Sequence, residues 1–342
     1  AADTDTIAIT VNAVNDAPAN AGDTAAVNED TAYSAWGAGS DWGYSDVDSD
    51  TMVSITLVSQ PSNGALTETN NACGGDGCAN GDVILLARLA AGDLIYTGTS
   101  NYNGADTFTY TTQDAALSSP TGTMTMTVNA VNDAPVNSLG TASAVNEDVA
   151  NAITGSTIAD VDDTSMTSVQ ITADRGTFTL ATSSATYNVG TQGTAASTVT
   201  ISGSVTNINV AIATITWTSA TDDNTNAVIT VVTTDSSSAA DTDTIAITVN
   251  AVNDAPTVEA GDAQSVEEGA SVTLTSSGTS DPEGEALSYI WSVQSGSAQT
   301  LSGATSASPT FTAAQALTGY TSVFILSVTD GTHTITDTVT IS

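Results

Sequence analysis

Apolar residues alternate with threonine and alanine in three segments of the chain. In each segment, apolar side chains occupy every second position over at least five residues. A period of two with many β-branched residues is typical of a strand that buries one face. The apolar positions are Ile7, Ile9 and Val11; Met124, Met126 and Val128; and Ile245, Ile247 and Val249. We expect each segment to be the last strand of a domain, because a Pro-containing linker follows it.

Shorter runs of the same kind lie between these segments, separated by Gly, Asn, Asp and Ser. They occupy residues 107–111, 199–201, 228–232, 272–274 and 324–328. Many short strands with frequent turn residues predict antiparallel β-sandwiches, so the expected fold class is all-β. We expect short helical turns around residues 85–91 and 207–213.

An internal repeat divides the chain. Residues 1–18 are identical to residues 239–256, and both end in Val-Asn-Ala-Val-Asn-Asp-Ala-Pro, which also occupies residues 128–135. The copies are 117 and 121 residues apart, which is the size of one sandwich domain. The predicted domains are the last strand of a preceding repeat at 1–14, repeats at 15–131 and 132–252, and a final domain at 253–342. We therefore expect the chain to be part of a longer array.

Two further motifs suggest a family for the repeats. Val-Asn-Glu-Asp occurs at 27–30 and 145–148, and Asn-Tyr-Asn-Gly at 101–104 precedes Asp-Thr-Phe-Thr-Tyr at 106–110. With the Asn-Asp-Ala-Pro linkers, these motifs resemble the bacterial cadherin-like tandem repeats of large surface adhesins. The resemblance implies tandem cadherin-like or immunoglobulin-like antiparallel sandwiches arranged as an extended rod.

The last domain differs from the first two. Residues 280–291 read Ser-Asp-Pro-Glu-Gly-Glu-Ala-Leu-Ser-Tyr-Ile-Trp, and a strand at 324–328 closes on Thr-Asp-Gly. These features resemble an immunoglobulin-like domain of the polycystic-kidney-disease (PKD) type. Trp291 is then expected to be its core tryptophan.

Acidic and amide residues recur at four places in successive domains. The linkers supply Asn15 and Asp16, Asn132 and Asp133, and Asn253 and Asp254. A glutamate follows after 13 or 14 residues, at Glu29, Glu147 and either Glu267 or Glu268. A turn with paired acids contains Asp46 and Asp48, Asp160 and Asp162, or Asp281 and Glu283. An aspartate ends the penultimate strand at Asp114, Asp235 and Asp330.

These positions suggest calcium, which takes six to eight oxygen ligands. The cadherin resemblance implies that the glutamate at the bottom of one domain meets the linker, the paired acids and the strand-end aspartate at the top of the next. One junction would use Glu29, Asn132, Asp133, Asp160, Asp162 and Asp235, and the next Glu147, Asn253, Asp254, Asp281, Glu283 and Asp330. A first, truncated junction keeps Asn15, Asp16, Asp46, Asp48 and Asp114.

The match to the cadherin ligand set has gaps. The linker is one residue shorter than in cadherins, and Ala130 or Ala251 stands where an acid would be expected. The family's Asp-Arg-Glu segment has no clear counterpart, although Asp222 and Asp223 are candidates to replace it. The alternative is that the acids form turns and caps on a soluble, salt-adapted surface.

The charge of the chain excludes several classes of partner. It carries 38 Asp and Glu against two basic residues, a formal charge of −36. Nucleic acids and anionic lipid surfaces both need a basic footprint, so neither is an expected partner. With 40% hydrophobic residues the chain should fold, and no apolar run is long enough for direct insertion into a membrane.

Two cysteines, Cys73 and Cys78, lie in a Gly-rich loop without a further Cys or a nearby His to complete a zinc site. A short-loop disulfide in an oxidising compartment is favoured over two free thiols.

No catalytic constellation is recognisable, so we expect no enzymatic activity. The single histidine, His333, is expected to be an exposed strand residue. Trp36 and Trp42 are expected to pack locally, with stacking on a sugar as the alternative, and Trp217 to face a core.

The sequence therefore predicts an extracellular or cell-surface stalk or filament segment of a bacterial adhesin-like protein, rigidified by calcium at its linkers. Expected partners are other copies of the chain or a cell-surface or matrix ligand. The alternatives are a glycan- or protein-binding module of a secreted multidomain protein, and an accessory array attached to an enzyme.

Overall fold

The computed structural model describes residues 2–37, 39–75, 77–315 and 319–342. In these residues the helices are a 3-10 helix at Gly39–Trp42 and the α-helices α1 (Leu86–Ala90) and α2 (Val205–Ile212). Both α-helices lie where the sequence predicts helical turns. Strands dominate elsewhere, and the fold is all-β. The chain divides into two compact units, residues 1–133 and 134–342.

The first unit contains one sandwich. Its strands are β1 (Ala19–Asn20), β2 (Asp23–Asn28), β3 (Ala32–Tyr33), β4 (Tyr44–Ser45), β5 (Ser54–Ser59), β6 (Gly64–Glu68), β7 (Val83–Leu85), β8 (Leu94–Gly98), β9 (Gly104–Gln113) and β10 (Gly122–Asn129). A five-stranded sheet has the order β2-β10-β9-β5-β7, a three-stranded sheet the order β3-β8-β6, and β1 pairs with β4. Both larger sheets contribute to one core, which includes Tyr96, Phe108 and Tyr110.

The two tryptophans of the first domain belong to that core. Trp36 and Trp42 are buried, and their ring centroids are 5.2 Å apart. The Trp36 indole N–H donates to the backbone oxygen of Leu94 at 2.6 Å. The expected local packing is therefore observed, and neither ring is available to stack on a sugar.

The segment that precedes the first sandwich is not a strand. Residues 2–17 have no regular secondary structure, and Ile7, Ile9 and Val11 are 86, 82 and 87% exposed. The sequence predicted that this segment is the last strand of a preceding repeat, and within the described residues it forms no strand. A strand needs a neighbour to bond its N–H and C=O groups, and no described strand pairs with residues 2–12. The assignment of 1–14 to a preceding repeat stays a prediction.

The second unit contains two separate hydrophobic cores. Strands of its N-terminal part are β11 (Val136–Ser138), β12 (Val145–Asn146), β13 (Asn151–Thr154), β14 (Thr157–Ala159), β15 (Ser165–Ala173), β16 (Thr177–Leu180), β17 (Thr186–Val189), β18 (Thr198–Ser204), β19 (Thr214–Thr218), β20 (Ala227–Thr234), β21 (Ala240–Ile247) and β22 (Val249–Asn250). The sheets have the orders β17-β18-β15-β20-β21 and β13-β19-β16, with smaller pairs β11-β14 and β12-β22. Trp217, in β19, is buried in the core of this part, as expected.

The C-terminal part of the second unit is a smaller sandwich. Its strands are β23 (Ser271–Thr273), β24 (Ser288–Ser295), β25 (Thr310–Thr312), β26 (Ser322–Thr329) and β27 (Thr334–Ile341). They form a three-stranded sheet, β24-β26-β27, and a pair, β23-β25. Trp291 is buried in its core, as the sequence predicts.

The predicted disulfide between Cys73 and Cys78 is confirmed. The Glu68 carboxylate lies inside the loop that this bond closes and accepts hydrogen bonds from backbone N–H groups of Cys73, Gly75 and Gly77. The loop therefore folds around a carboxylate of the neighbouring strand β6. Within the described residues, no helix has the length and apolarity needed to span a membrane.

Candidate metal centre

A parallel strand pair places a glutamate beside the linker in each of the first two domains. β2 pairs in parallel with β10, and β12 pairs in parallel with β22. Both pairs end on asparagines, so the residue that follows, Glu29 or Glu147, lies next to the linker. Glu29 Oε1 accepts a hydrogen bond from Val131 N at 2.6 Å, and Glu147 Oε1 accepts one from Val252 N at 2.8 Å.

The second oxygen of each glutamate has a different environment. Glu29 is 3% exposed and Glu147 is fully buried. Oε2 of both residues is buried and finds no hydrogen-bond partner among the described residues. A buried charged oxygen without a partner is costly, and such groups are normally paired or bound to a cation.

The paired-acid turns share one hydrogen-bond pattern in all three domains. Oδ1 of the first aspartate accepts backbone N–H groups two to four residues ahead, which fixes the turn. Oδ2 of the same aspartate is buried and has no partner among the described residues. The aspartates are Asp46, Asp160 and Asp281. One oxygen of each carboxylate therefore builds the turn, and the other takes no part in it.

The linker residues bind to the domain that follows them. Asn253 Nδ2 donates to Asp330 Oδ2 at 3.0 Å, and Asp254 N donates to Glu283 Oε2 at 2.9 Å. The first linker makes the same two contacts, from Asn15 Nδ2 to Asp114 Oδ2 at 3.0 Å and from Asp16 N to Asp48 Oδ2 at 2.7 Å. The linker is thus anchored by its asparagine side chain and its aspartate backbone.

The second unit brings three predicted ligands together. Ligand oxygens of Glu147, Asp254 and Glu283 lie within 4.8 Å of one another. They come from the second domain, the linker and the third domain. Besides Glu147 Oε2, the buried Asp254 Oδ2 and Glu283 Oε1 also lack a hydrogen-bond partner among the described residues.

A second group of carboxylates shares Asp254. It consists of Asp148, Asp222 and Asp254, again within 4.8 Å. Asp148 Oδ1 accepts a hydrogen bond from Asp222 N at 3.2 Å. Asp222 lies in the segment that the sequence offered as a replacement for the cadherin Asp-Arg-Glu ligands, whereas Asp223 turns away to Arg175 at 3.5 Å. Asp148 was not anticipated, although its position directly after Glu147 repeats that of Asp30 after Glu29.

The electrostatics of this region centre on Asp254. Desolvation raises the pKa of the Asp254 carboxyl above its ordinary value, and the charges of neighbouring carboxylates raise it further. Those neighbours are Asp222, Asp148, Glu283 and Glu147. The burial of Asp254 and the charges around it therefore disfavour its ionised form.

A third group of carboxylates lies at the opposite end of the second domain. It contains Asp160, Asp163 and Asp235. Asp163 takes the place that the sequence gave to Asp162, and its Oδ2 accepts hydrogen bonds from Ser236 N and Oγ at 3.0 and 2.7 Å. These bonds hold the pKa of Asp163 below its ordinary value. Glu29, Asn132 and Asp133 lie in the other compact unit.

The environment of the histidine differs from the expectation. His333 precedes strand β27, and its side chain is 41% exposed. Its Nδ1 lies 3.2 Å from Asp330 Oδ2. Asp330 therefore contacts an imidazole, which the sequence interpretation had not connected to any acid. Backbone N–H groups of His333 and Thr332 hold the pKa of Asp330 well below its ordinary value, against the effect of desolvation.

Family models match two parts of the chain. Residues 260–342 match a PKD domain, and residues 15–127 match a bacterial Ig domain. No curated protein sequence matches the chain.

Several solved structures are similar to the chain at low identity. Mouse cadherin-23 extracellular domains 22–24 are 15% identical with a TM-score of 0.47, over 96% of this chain and 99% of that one. Protocadherin gamma B2 domains 3–6 are 11% identical with a TM-score of 0.46, over 95% of this chain and 71% of that one. A nucleoside hydrolase-related hypothetical protein from Saccharophagus degradans is 24% identical with a TM-score of 0.24, and the match covers 26% of each chain.

The family matches and the sandwiches agree with the sequence motifs of the last domain and with the all-β class. The chain is therefore a tandem array of β-sandwich domains, in which residues 15–127 match a bacterial Ig domain and residues 260–342 match a PKD domain.

Proposed function

We propose that the chain is a structural segment of an extracellular, adhesin-like stalk, and that calcium stiffens the junction between its second and third domains. The observation that carries this proposal is the carboxylate of Glu147. It is fully buried, one of its oxygens is bound to the linker, and the other has no hydrogen-bond partner among the described residues. The same carboxylate belongs to a group with Asp254 and Glu283 whose ligand oxygens lie within 4.8 Å of one another.

The ligand atoms of the site suit calcium. They are carboxylate oxygens, which hard cations prefer, and no described His or Cys joins the groups around Asp254. Asp254 belongs to both groups, so either group would draw a ligand from it. When bound, calcium supplies the positive charge that cancels the repulsion among these carboxylates.

The positions of the ligands give the site a mechanical role. Glu147 belongs to the second domain, Asp254 to the linker and Glu283 to the third domain. Without a cation, the repulsion of the carboxylates opposes their close approach. With the carboxylates bound to one ion, movement of the third domain relative to the second would break ligand bonds. The junction would then resist bending.

The remaining features fit a surface location. The Cys73–Cys78 disulfide is of a kind that persists in oxidising compartments. The formal charge of −36 disfavours acidic partners, so we propose that the stalk associates with other copies of the chain, or with a cell-surface or matrix ligand, through contacts that tolerate this charge.

Thermal unfolding in chelator and in millimolar calcium tests the metal site. At a hundredfold excess over its dissociation constant, calcium should add about 2.7 kcal/mol to the free energy of unfolding of the part of the chain that binds it. Glu147→Gln retains an acceptor for Val252 N–H and removes the charge, so most of this gain should disappear. Asp243→Asn removes an exposed charge from β21 and serves as the matched control. A calcium response that Glu147→Gln leaves intact would contradict the proposal.

Distance measurements test the stiffening. Val189 and Ile290 are 50 and 58% exposed and lie in the second and third domains. Labels on cysteines introduced at these positions should show a narrower distance distribution in calcium than in chelator. An equal width in both conditions would leave calcium binding without a mechanical role.

A further inference from the structure

The outer face of the five-stranded sheet in the first domain carries no charged side chain. One set of alternate side chains, which includes Ile55 and Phe108, packs in the core, and the other set faces away from it. On β9 and β10 the outward set contains Thr107, Thr109, Thr111, Thr123, Thr125 and Thr127. We call the outward side of β2, β10, β9, β5 and β7 the threonine face.

The charged residues of these strands belong to the inward set. They are Asp23 and Asp106. Asp106 is 2% exposed and accepts the hydroxyl proton of Tyr96 at 3.0 Å. Asp23 is in register with Met124, which is buried in the core. The threonine face is therefore uncharged, although the chain has 38 Asp and Glu.

One side of the threonine face is apolar. Val83 and Leu85 of β7 are 51 and 53% exposed, and they pair with Thr56 and Ser54 of β5. Val58, in the bulge of the neighbouring strand β5, is 43% exposed. Single exposed apolar side chains are ordinary, whereas contiguous ones on one face are typical of interaction sites.

The charge of the chain indicates what covers this face. A formal charge of −36 makes most contacts between two copies repulsive. The threonine face lets two copies meet without bringing carboxylates together, and it offers no anionic group to a cationic partner. We propose that two copies of the chain associate through their threonine faces.

The composition of the face suits such a pair. In a two-fold dimer both copies use the same surface. Val58, Val83 and Leu85 of both copies then supply the apolar part of the interface, and the threonine hydroxyls supply the polar part. Reversible interfaces have this mixture of apolar and uncharged polar groups, with few charges at their centre.

The size of the face sets the strength of the association. Its five strands contain 6, 8, 10, 6 and 3 residues. At about 3.4 Å per residue and about 4.8 Å between strands, the face covers roughly 540 Å² in each copy. A pair would bury roughly 1,100 Å², which is near the lower end for specific interfaces. The dimer is therefore weak and reversible.

This inference rests on the proposed association of the stalk with other copies of the chain. It does not rest on calcium, because Glu147, Asp254 and Glu283 lie outside the first domain. The association is therefore measured in chelator.

Sedimentation equilibrium of the full chain over a range of concentrations tests the proposal. The wild type should show a monomer–dimer equilibrium that tightens in 0.5 M NaCl, because salt screens the repulsion between the two acidic chains. The double variant Val83→Glu, Leu85→Glu places charges on the apolar side of the face and should raise the dissociation constant at least tenfold.

Val189→Glu with Val210→Glu is the matched control. These two valines are 50 and 48% exposed, lie in the second domain and add the same charge, so the dissociation constant should stay within twofold of the wild type. Thr109→Glu, on the central strand β9, is a second variant that should weaken the dimer. Thermal melts in chelator check that each variant folds.

Two results would overturn the proposal. One is a wild-type chain that stays monomeric at all concentrations, including one whose threonine face takes only a different protein or a glycan. The other is a dimer that the substitutions at positions 83, 85 and 109 leave intact, which would place self-association on another surface and leave the proposed stalk standing. Glu147→Gln should dimerise as the wild type does, so failure of the calcium proposal is recognised separately.

Discussion

Residues 1–18 and residues 239–256 have the same sequence, and they differ in structure over their first half. In the second copy, β21 pairs with β20 along its whole length, and Ile245 and Ile247 are 2% exposed. In the first copy, Ile7 and Ile9 are 86 and 82% exposed, and no described residue pairs with them. The difference shows that alternation makes a segment competent to form a strand, whereas a neighbouring strand decides whether it does.

The second halves of the two copies are alike. Asn15 and Asn253 both donate to a strand-end aspartate, and the backbone N–H groups of Asp16 and Asp254 both donate to the second acid of a paired turn. Each linker has its receiving domain after it in the chain. A segment with its binding partner present therefore takes the same local structure twice.

The largest expected difference in stability between the two copies comes from replacing the equivalent isoleucines, Ile7 and Ile245, with alanine. Ile245→Ala removes a buried side chain and should cost about 2–5 kcal/mol. Ile7→Ala removes an exposed one and should change stability by less than about 0.5 kcal/mol. Denaturant unfolding, with hydrogen exchange of β20 as the local probe, measures both. Equal costs would show that residues 2–12 are packed against a partner in solution.

Replacing the linker asparagines should cost less stability than Ile245→Ala, and the cost should be similar in the two copies. Asn15→Ala and Asn253→Ala each remove a hydrogen bond to a buried carboxylate, worth about 1.5–3 kcal/mol. Melting of the first and third domains should report losses within a factor of two of each other. A large loss of stability in one domain and none in the other would show that the two linkers are not anchored in the same way.

Lowering the pH should reduce the stability cost of Asn15→Ala in the first domain. The hydrogen bond from Asn15 is the main reason that the pKa of Asp114 lies below its ordinary value of 3.8. A carboxyl whose pKa is lowered on folding adds stability above the unfolded pKa and loses it as pH falls through the folded pKa. The cost of Asn15→Ala should therefore be full at pH 7 and should shrink as pH falls below 3.8. A cost that is constant over this range would assign the effect to packing.

The smallest expected effect is that of Asp254→Asn, which should raise stability where the preceding substitutions lower it. This substitution should also distinguish the two linker aspartates. Because the pKa of Asp254 is raised on folding, its ionisation opposes folding above that pKa, and the penalty is absent below the unfolded value of 3.8. In chelator at pH 7, Asp254→Asn should raise the melting temperature of the second unit slightly, and it should also abolish the calcium response. Asp16 is exposed, so Asp16→Asn is the matched control and should do neither. Destabilisation by Asp254→Asn in chelator would contradict the repulsion argument.

Sequence patterns predicted much of the fold. The strands around Met124, Ile229 and Leu326, the two helical turns, the disulfide and the buried Trp217 and Trp291 all follow from local spacing and composition. Such features depend on side-chain periodicity and turn chemistry, which are properties of neighbouring residues.

Sequence patterns were less informative about the site. The recurring acids indicated Glu147, Asp254 and Glu283 as members of one junction, because each repeats at a fixed place in its domain. Ligand oxygens of these three residues lie within 4.8 Å of one another. Asp148, Asp163 and the contact of His333 with Asp330 were not foreseen. They depend on which way loop side chains turn, and that is set by backbone conformation and by contacts across loops distant in sequence.

The sequence by itself determined the all-β class, the repeat, the acidic surface and the residue types available for a cation site, since these follow from composition and period. Tertiary structure decided which copy of the repeated segment becomes a strand, which carboxylates meet and which polar atoms stay without partners. The reason is physical: a strand lacks hydrogen bonds of its own, and a ligand site needs oxygens from segments that are brought together only by folding.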